Sequence, residues 1–356
     1  MMDKDKTSLE QEEEPTLEEW RALYDAFIRV RELAPWQWMS EEMVFAVQDP
    51  ETADIGYVNI MGASGESLGV LVYLGGEGWY GFQRLREFVR TTGDVPVEVA
   101  LTIPFLQAVW ADREDLSSAD LRLIRSLGLR FRGRGAWPLF RRFSPGYYPW
   151  YLTASNVRFL THVLTQIMEV APRVQVEGPD ILVHPEDERR LLTRVPRLTE
   201  EGILWDEAYV KPLPWDGWVL SPDLPEEFLQ ELQTLPQSTE IWQVDVFMGV
   251  TGVRDTKRER PYIPYIFIVG EAKTGYILEG EVLSAKEGLG QMYERIPGHV
   301  LQLMWERGSR PRRVEVRTTL MYNLLDVPLK HLGITLQKTS SLRAVDTFLR
   351  VADDLL

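Results

Sequence analysis

The sequence predicts an α+β domain with a mainly antiparallel sheet, followed by an α/β domain with a mixed five-stranded sheet. Three features of the 356-residue chain predict this arrangement. Short turns separate the first predicted strands, and short connections favour antiparallel neighbours because parallel strands need longer crossovers. A Pro-rich stretch over 177–237 then interrupts the pattern. From residue 241 the predicted order is three strands, then helix, strand, helix, strand and helix.

Composition and charge narrow the classes of protein that the chain fits. Apolar residues make up 44% and charged residues 26%, as in ordinary globular proteins. The net charge of -15 disfavours nonspecific binding to nucleic acid. A local basic patch still keeps nucleic acid open as a partner, and a protein partner is also open. The absence of cysteine excludes disulfides and thiolate sites and suits the cytoplasm. No apolar run approaches the roughly 20 residues of a membrane span, so we expect no membrane contact.

The first half of the chain is predicted to contain an acidic tail and one domain. Residues 1–14 are charged and predict a disordered tail, and residues 15–176 form the α+β domain. Thr16 is positioned to cap a helix whose residues Leu23, Phe27 and Val30 recur at helical spacing and should be buried. Further elements are predicted at Met43–Val47, Ile55–Met61, Ser67–Leu74, Gly78–Thr91, Val95–Trp110, Ser117–Leu127 and Ser155–Val170, with a hairpin around Ser144-Pro145-Gly146.

The second half contains a Pro-rich connector, 177–237, and a C-terminal domain, 238–356. Strand one places Gln243, Asp245 and Phe247 on one face, because side chains alternate along a strand. The run Trp242-Gln243-Val244-Asp245, followed by Tyr265–Val269 and Thr274-Gly275-Tyr276-Ile277, resembles the opening of retroviral and transposon integrase cores. The resemblance continues through Pro311–Val316 and Leu332–Thr335, and it implies a ribonuclease H-like fold.

That resemblance also implies where catalytic carboxylates should lie. Such enzymes hold two divalent metals with carboxylates from separate elements. Asp245 matches the first position, and Asp346 and Glu294 are weaker matches to carboxylates on later helices. Arg317-Thr318-Thr319 stands where the family has an acid at the end of strand four, so we expect Arg317 to pair with Asp245 and no metal to bind. The sequence therefore favours a non-catalytic binding or scaffold module; the alternative is a metal-dependent nuclease or nucleotidyl transferase.

The whole chain also resembles an uncharacterised bacterial family that joins two domains of unknown function. The segments that carry this resemblance are Leu23–Phe27, Pro35-Trp36 and Pro311–Ile334. The resemblance implies an architecture without implying an activity, a cofactor or a partner.

Two further motifs are candidates for binding. Gly76, Gly78 and Gly81 match G-x-G-x-x-G between a strand and a helix, which would allow nucleotide binding or a tight turn. The second motif is a cluster of arginines that is a candidate site for nucleic acid: Arg130, Arg132, Arg134, Arg141 and Arg142. These arginines alternate with aromatic residues, as on surfaces that bind single strands. The same cluster also fits a domain seam or cations that balance the acidic remainder. The four histidines are far apart and predict no metal site.

Overall fold

The computed structural model describes residues 13–63, 65, 67–93, 97–215, 217, 220–249, 251–256 and 259–353. The predicted tail falls mainly on residues 1–12, which lie outside the described residues. The chain divides into two compact units. Unit 1 consists of 1–144 and 149–215, and unit 2 of 145–148 and 216–356.

Unit 1 is built on one large sheet. Its strands are β1 (Val44–Gln48), β2 (Ile55–Met61), β3 (Gly69–Leu74), β4 (Phe105–Ala111), β5 (Trp137–Phe143), β6 (Val183–His184), β7 (Asp187–Thr199) and β8 (Gly202–Val210). They lie in the order β5-β4-β3-β2-β1-β7-β6, and β8 pairs with β7. The strand pairs are antiparallel except for β1 with β7.

Helices of unit 1 cover the two faces of this sheet. They are α1 (Leu17–Leu33), α2 (Gly75–Thr92), α3 (Val97–Ala100), α4 (Ser118–Ser126) and α5 (Ala154–Glu177). Phe45 and Val47 of β1 belong to the core that α1 and α5 share, whereas Val44 and Ala46 belong to the core beside α2. Because both faces of β1 are buried, its sequence is a continuous apolar run.

The first helix agrees with the sequence prediction. The Thr16 hydroxyl accepts a hydrogen bond from the Glu19 amide, and the Glu19 carboxylate accepts one from the Thr16 amide. This reciprocal cap satisfies amides that have no partner within the helix. Leu23, Phe27 and Val30 are fully buried, so the predicted apolar face is confirmed.

The stretch over 177–237 differs from the predicted connector. It contains β6, β7 and β8, and β7 pairs with β8 from Leu191 opposite Val210 to Thr199 opposite Gly202. Pro196 lies in this ribbon, beyond the residues of β7 that pair with β1. A proline removes one backbone donor, which is tolerated where a strand has a neighbour on only one side. The ribbon thus accommodates Pro196, while the other prolines of 177–237 lie outside β7 and β8.

The predicted hairpin around residues 144–146 is reduced to one antiparallel bridge, in which Arg142 and Trp150 exchange two backbone hydrogen bonds. β5 pairs instead with β4, from Phe143 opposite Phe105 to Trp137 opposite Ala111. The apolar strand β4 offers β5 a long buried partner, whereas the residues after 146 contribute only a single bridge, Arg142 to Trp150. Burial over the length of β4 outweighs the local turn signal.

Unit 2 contains a second sheet, and its described residues contribute five strands. These are β9 (Ile241–Met248), β10 (Pro264–Glu271), β11 (Ile277–Ser284), β12 (Arg313–Val316) and β13 (Thr335–Lys338), in the order β11-β10-β9-β12-β13. The pairs β9–β10 and β10–β11 are antiparallel, and β12 is parallel to both β9 and β13. The helices are α6 (Glu226–Thr234), α7 (Leu289–Arg307), α8 (Thr319–His331) and α9 (Arg343–Asp353). The predicted mixture of helices with a five-stranded second sheet is confirmed.

Candidate functional site: a carboxylate–arginine cluster

The site lies where the central strands of the second sheet meet α9. Asp245 is on β9 opposite Ile268, on the face where Leu342 and Val345 pack. Arg317 follows the last residue of β12, which is the parallel neighbour of β9. Arg317 Nε donates to Asp245 Oδ2 over 3.0 Å, so the expected pairing of these two residues is observed.

Arg317 also holds a second carboxylate. Its Nη2 donates to Asp346 Oδ1 on α9 over 2.5 Å. The other oxygen of Asp346 accepts from the Leu342 amide at 3.0 Å and from the Ser341 hydroxyl at 3.3 Å. One guanidinium therefore joins β9 to the first turn of α9. The Asp245 side chain is 7% exposed and that of Arg317 is 35% exposed, so the pair is only partly screened by water.

Gln243 extends this polar contact along the same face of β9. Its Oε1 accepts a hydrogen bond from the Ala344 amide at 2.8 Å, and its Nε2 donates to Glu315 on β12 at 2.9 Å. Gln243 is nearly inaccessible to solvent, so both bonds replace water. The sequence reasoning did not assign a role to Gln243 or Glu315. The signal was a polar residue on each of two strands, at positions that the parallel register places opposite each other.

The environment shifts the ionisation of these groups in different directions. Burial raises the pKa of Asp245, and the positive charge of Arg317 offsets only part of that rise. For Asp346, burial acts to raise the pKa, but hydrogen bonds from Arg317 and the Leu342 amide outweigh it and lower the pKa. Burial would lower the pKa of Arg317, yet the two carboxylates raise it, so the guanidinium stays charged.

The residues of this cluster do not fit a pair of divalent metals. Two-metal chemistry needs oxygen ligands that converge on cations, and a guanidinium between two carboxylates repels a cation from that space. Glu294, the other candidate acid, instead accepts a hydrogen bond from the Ser221 amide at 2.9 Å. Within the described part of the chain, no group of three or more His, Asp or Glu side chains is arranged to hold a metal ion.

Close packing explains why each position of the glycine motif of α2 is a glycine. A side chain on Gly76 would meet the Pro214 carbonyl oxygen at 2.6 Å, one on Gly78 the Tyr73 backbone at 2.8 Å, and one on Gly81 the Ile103 side chain at 2.6 Å. Gly76 also lines a cavity of about 820 Å³ beside α2. The strand before α2 belongs to antiparallel pairs, so the parallel unit of dinucleotide-binding folds is not formed there. Nucleotide binding at this loop stays a prediction.

The arginine cluster of unit 1 is split between buried and exposed positions. Arg141 is half-buried and donates to both oxygens of Asp120, at 3.0 and 2.6 Å, and Arg142 is half-buried on the same strand. Arg130, Arg132 and Arg134 are exposed in the loop after α4. The aromatic residues between these arginines, namely Phe131, Trp137, Phe140 and Phe143, pack against other rings of unit 1. They therefore form no exposed stacking surface.

Comparisons with known proteins agree with the division into two units. Residues 20–194 match the family described as "Domain of unknown function (DUF7309)", and residues 228–351 match "Domain of unknown function (DUF6930)". The chain joins two domains of unknown function. No curated protein matches the chain.

One solved structure that resembles the chain is the catalytic core domain of BIV integrase. The sequence identity is 14%, the TM-score is 0.24, and the match covers 33% of this chain and 66% of that one, just under two thirds of its length.

None of the helices in the described ranges has both the length and the apolar character that a membrane crossing needs.

Proposed function

We propose that unit 2 is a ribonuclease H-like domain that serves as a non-catalytic binding or scaffold module. The strand order supports the fold: three antiparallel strands, β9 to β11, are extended beside β9 by the parallel strands β12 and β13. The Trp242–Asp245 run at the start of the central strand also supports it.

The position of Arg317 carries the non-catalytic part of the proposal. Asp245 and Asp346 come together in space, as two metal-binding carboxylates would, but both bind Arg317. Each carboxylate has a further hydrogen bond from a backbone amide, Val246 for Asp245 and Leu342 for Asp346. Through these hydrogen bonds the carboxylates hold α9 against the sheet. In this proposal the cluster therefore stabilises the fold and does not catalyse a reaction.

Metal titration tests this proposal. We expect Mg²⁺ and Mn²⁺ neither to bind tightly by calorimetry nor to raise the melting temperature of the native chain, since a ligand stabilises in proportion to its affinity for the folded state. Arg317→Asp should melt at a lower temperature without metal and recover part of the loss with Mn²⁺. Arg343→Asp, an exposed change on α9 with the same change in charge, should show no such recovery.

A nuclease assay decides between this proposal and its alternative. We expect the native chain to leave single- and double-stranded DNA and RNA intact with either metal. Metal-dependent cleavage that Asp245→Asn abolishes would contradict the proposal and support a metal-dependent nuclease or nucleotidyl transferase.

A further inference from the structure

Unit 1 contains a segment with a local charge opposite to that of the chain. Residues 113–142 include eight arginines, no lysine and three acids, whereas the whole chain has a net charge of -15. Arg134 pairs with Asp112 at 3.5 Å, and Arg141 pairs with Asp120. Two acids in or beside this segment, Asp112 and Asp120, are thus already paired with two of its arginines.

Besides Arg113, which lies over the Trp137 ring, five other arginines in or beside this segment have no carboxylate partner in the described part of the chain. We call them the arginine surface: Arg21, Arg122, Arg125, Arg130 and Arg132. All five are exposed. Arg21 and Arg125 donate to the backbone carbonyls of Leu127 and Leu121, and Arg122 donates to the Ser118 hydroxyl. Arg130 and Arg132 form no hydrogen bond or ion pair with any residue that the structure describes.

The arginines of unit 1 beyond residue 150 show a different pattern, although Arg29 and Arg84 are exposed and have no carboxylate partner among the described residues either. Beyond residue 150, arginines of this unit pair with carboxylates even where they are exposed; these include Arg158, Arg173, Arg189, Arg194 and Arg197. Exposed arginines of unit 1 can therefore be paired with carboxylates, whereas those of the arginine surface are not. Its charges are left free in a chain with an excess of acidic side chains.

Backbone contacts hold the arginine surface together. Arg21 of α1 donates to Leu127 at the end of α4 over 2.8 Å, and the Leu129 amide bonds the Ile124 carbonyl. Phe131 then packs against Tyr24 of α1, with ring centroids 6.4 Å apart. This contact fixes the loop that carries Arg130 and Arg132 against α1, next to the end of α4.

The chemistry of the surface limits what it can bind. Between residues 113 and 142, all of which are described, no large apolar side chain is exposed. Protein interfaces usually need buried aromatic or apolar anchors, and single-strand binding needs exposed rings for stacking. A phosphate backbone needs neither, because guanidinium groups bind phosphate oxygens directly.

We propose that the arginine surface binds the phosphate backbone of a nucleic-acid duplex, without reading its sequence. The inference concerns unit 1 and is independent of the ion-pair cluster in unit 2, so either can fail alone. Each phosphate contact releases counterions, which makes the affinity fall with salt by roughly 0.9 in log K per contact for each tenfold change in salt. Five arginines therefore predict a slope of about 4.5.

Fluorescence anisotropy with the full chain and a labelled 20-base-pair DNA duplex of mixed sequence tests the proposal. We expect binding at 20 mM salt that weakens along the predicted slope as salt rises to 150 mM. Arg130→Ala/Arg132→Ala should weaken binding and reduce the slope by about 2, because two phosphate contacts are lost. The matched control is Arg189→Ala/Arg197→Ala, which removes the same charge from exposed but ion-paired positions of the same unit.

Three outcomes would overturn the proposal. The first is no binding to the duplex at 20 mM salt, with the protein shown to be folded by its thermal melt. The second is an equal loss of affinity in the control variant, which would make the effect one of net charge. The third is tighter binding of a poly-glutamate peptide than of the duplex, which would assign the surface to an acidic protein.

Discussion

Arg130 and Arg132 of unit 1 are exposed and have no carboxylate partner, whereas Arg317 of unit 2 is partly buried and binds two carboxylates. An arginine side chain therefore contributes differently to folding and to binding in the two units. A guanidinium in water can be removed at little cost to folding and is available to a ligand. A guanidinium that neutralises a buried carboxylate is part of the folded structure, since its removal leaves an uncompensated charge.

The two units also differ in how a helix is attached to the sheet. α1 packs on its sheet through fully buried apolar residues such as Phe27, whose ring stacks on Trp110 with centroids 4.7 Å apart. α9 combines the apolar contact of Val345 with polar bonds from Gln243 and Arg317. Substitutions in the two units should therefore differ in size and in pH dependence.

The largest effect is expected in the apolar core of unit 1. Phe27→Ala should lower the free energy of unfolding by about 3 to 5 kcal/mol, because it removes a fully buried ring and leaves a cavity. Urea unfolding measures this. Leu17→Ala on the same helix, where Leu17 is 56% exposed, should change the stability by less than about 0.5 kcal/mol. Equal effects of the two substitutions would show that α1 does not hold the core.

A smaller loss is expected when the cation of unit 2 is removed. Arg317→Ala should cost about 2 to 3 kcal/mol, less than the 3 to 5 of a fully buried pair because Arg317 is about one-third exposed. Thermal and urea unfolding would measure it, with Arg343→Ala as the exposed control on α9. Adding Asp245→Asn to Arg317→Ala should restore part of the stability. A further loss in the double variant would contradict the assignment of Asp245 as the group left uncompensated.

Asp346→Asn should have a moderate effect that depends on pH. It should cost about 1 kcal/mol at pH 7, where it removes a charge-assisted hydrogen bond at a partly exposed site. The pKa of Asp346 is lowered by folding, so its contribution is present above the ordinary Asp value of about 3.9 and is lost as pH falls through the folded value. Urea unfolding of both proteins from pH 7 to pH 3 should show the difference shrinking. A difference that stays constant would contradict the pairing with Arg317.

The smallest effect on folding is expected at the arginine surface. Arg130→Ala/Arg132→Ala should change the free energy of unfolding by less than about 0.5 kcal/mol, since neither side chain bonds another described residue. Urea unfolding measured in parallel with the duplex titration would check this. A loss above 1 kcal/mol would show that these arginines stabilise unit 1, and their exposure would then not indicate a binding surface.

The sequence alone determined the local features of this protein. Thr16 and the spacing of Leu23, Phe27 and Val30 were enough to place α1 and its buried face, because capping and helical periodicity act within a few residues. The expectation that Asp245 pairs with Arg317 came instead from the resemblance to integrase cores, which places strands one and four side by side. The first inference rests on geometry that neighbouring residues repeat, and the second on the fold that the resemblance implies.

Only the tertiary structure decided which distant side chains meet. The contact of Arg317 with Asp346 and the hydrogen bond from the Ala344 amide of α9 to Gln243 depend on where a helix docks, and no periodicity encodes that position. The ribbon of β7 and β8 formed despite Pro196 because that part of β7 lies beyond its pairing with β1. In the segment from Arg130 to Phe143, burial turned the aromatic rings into unit 1 and left Arg130 and Arg132 in solvent. Burial and long-range pairing therefore decide which of these side chains remain free to bind.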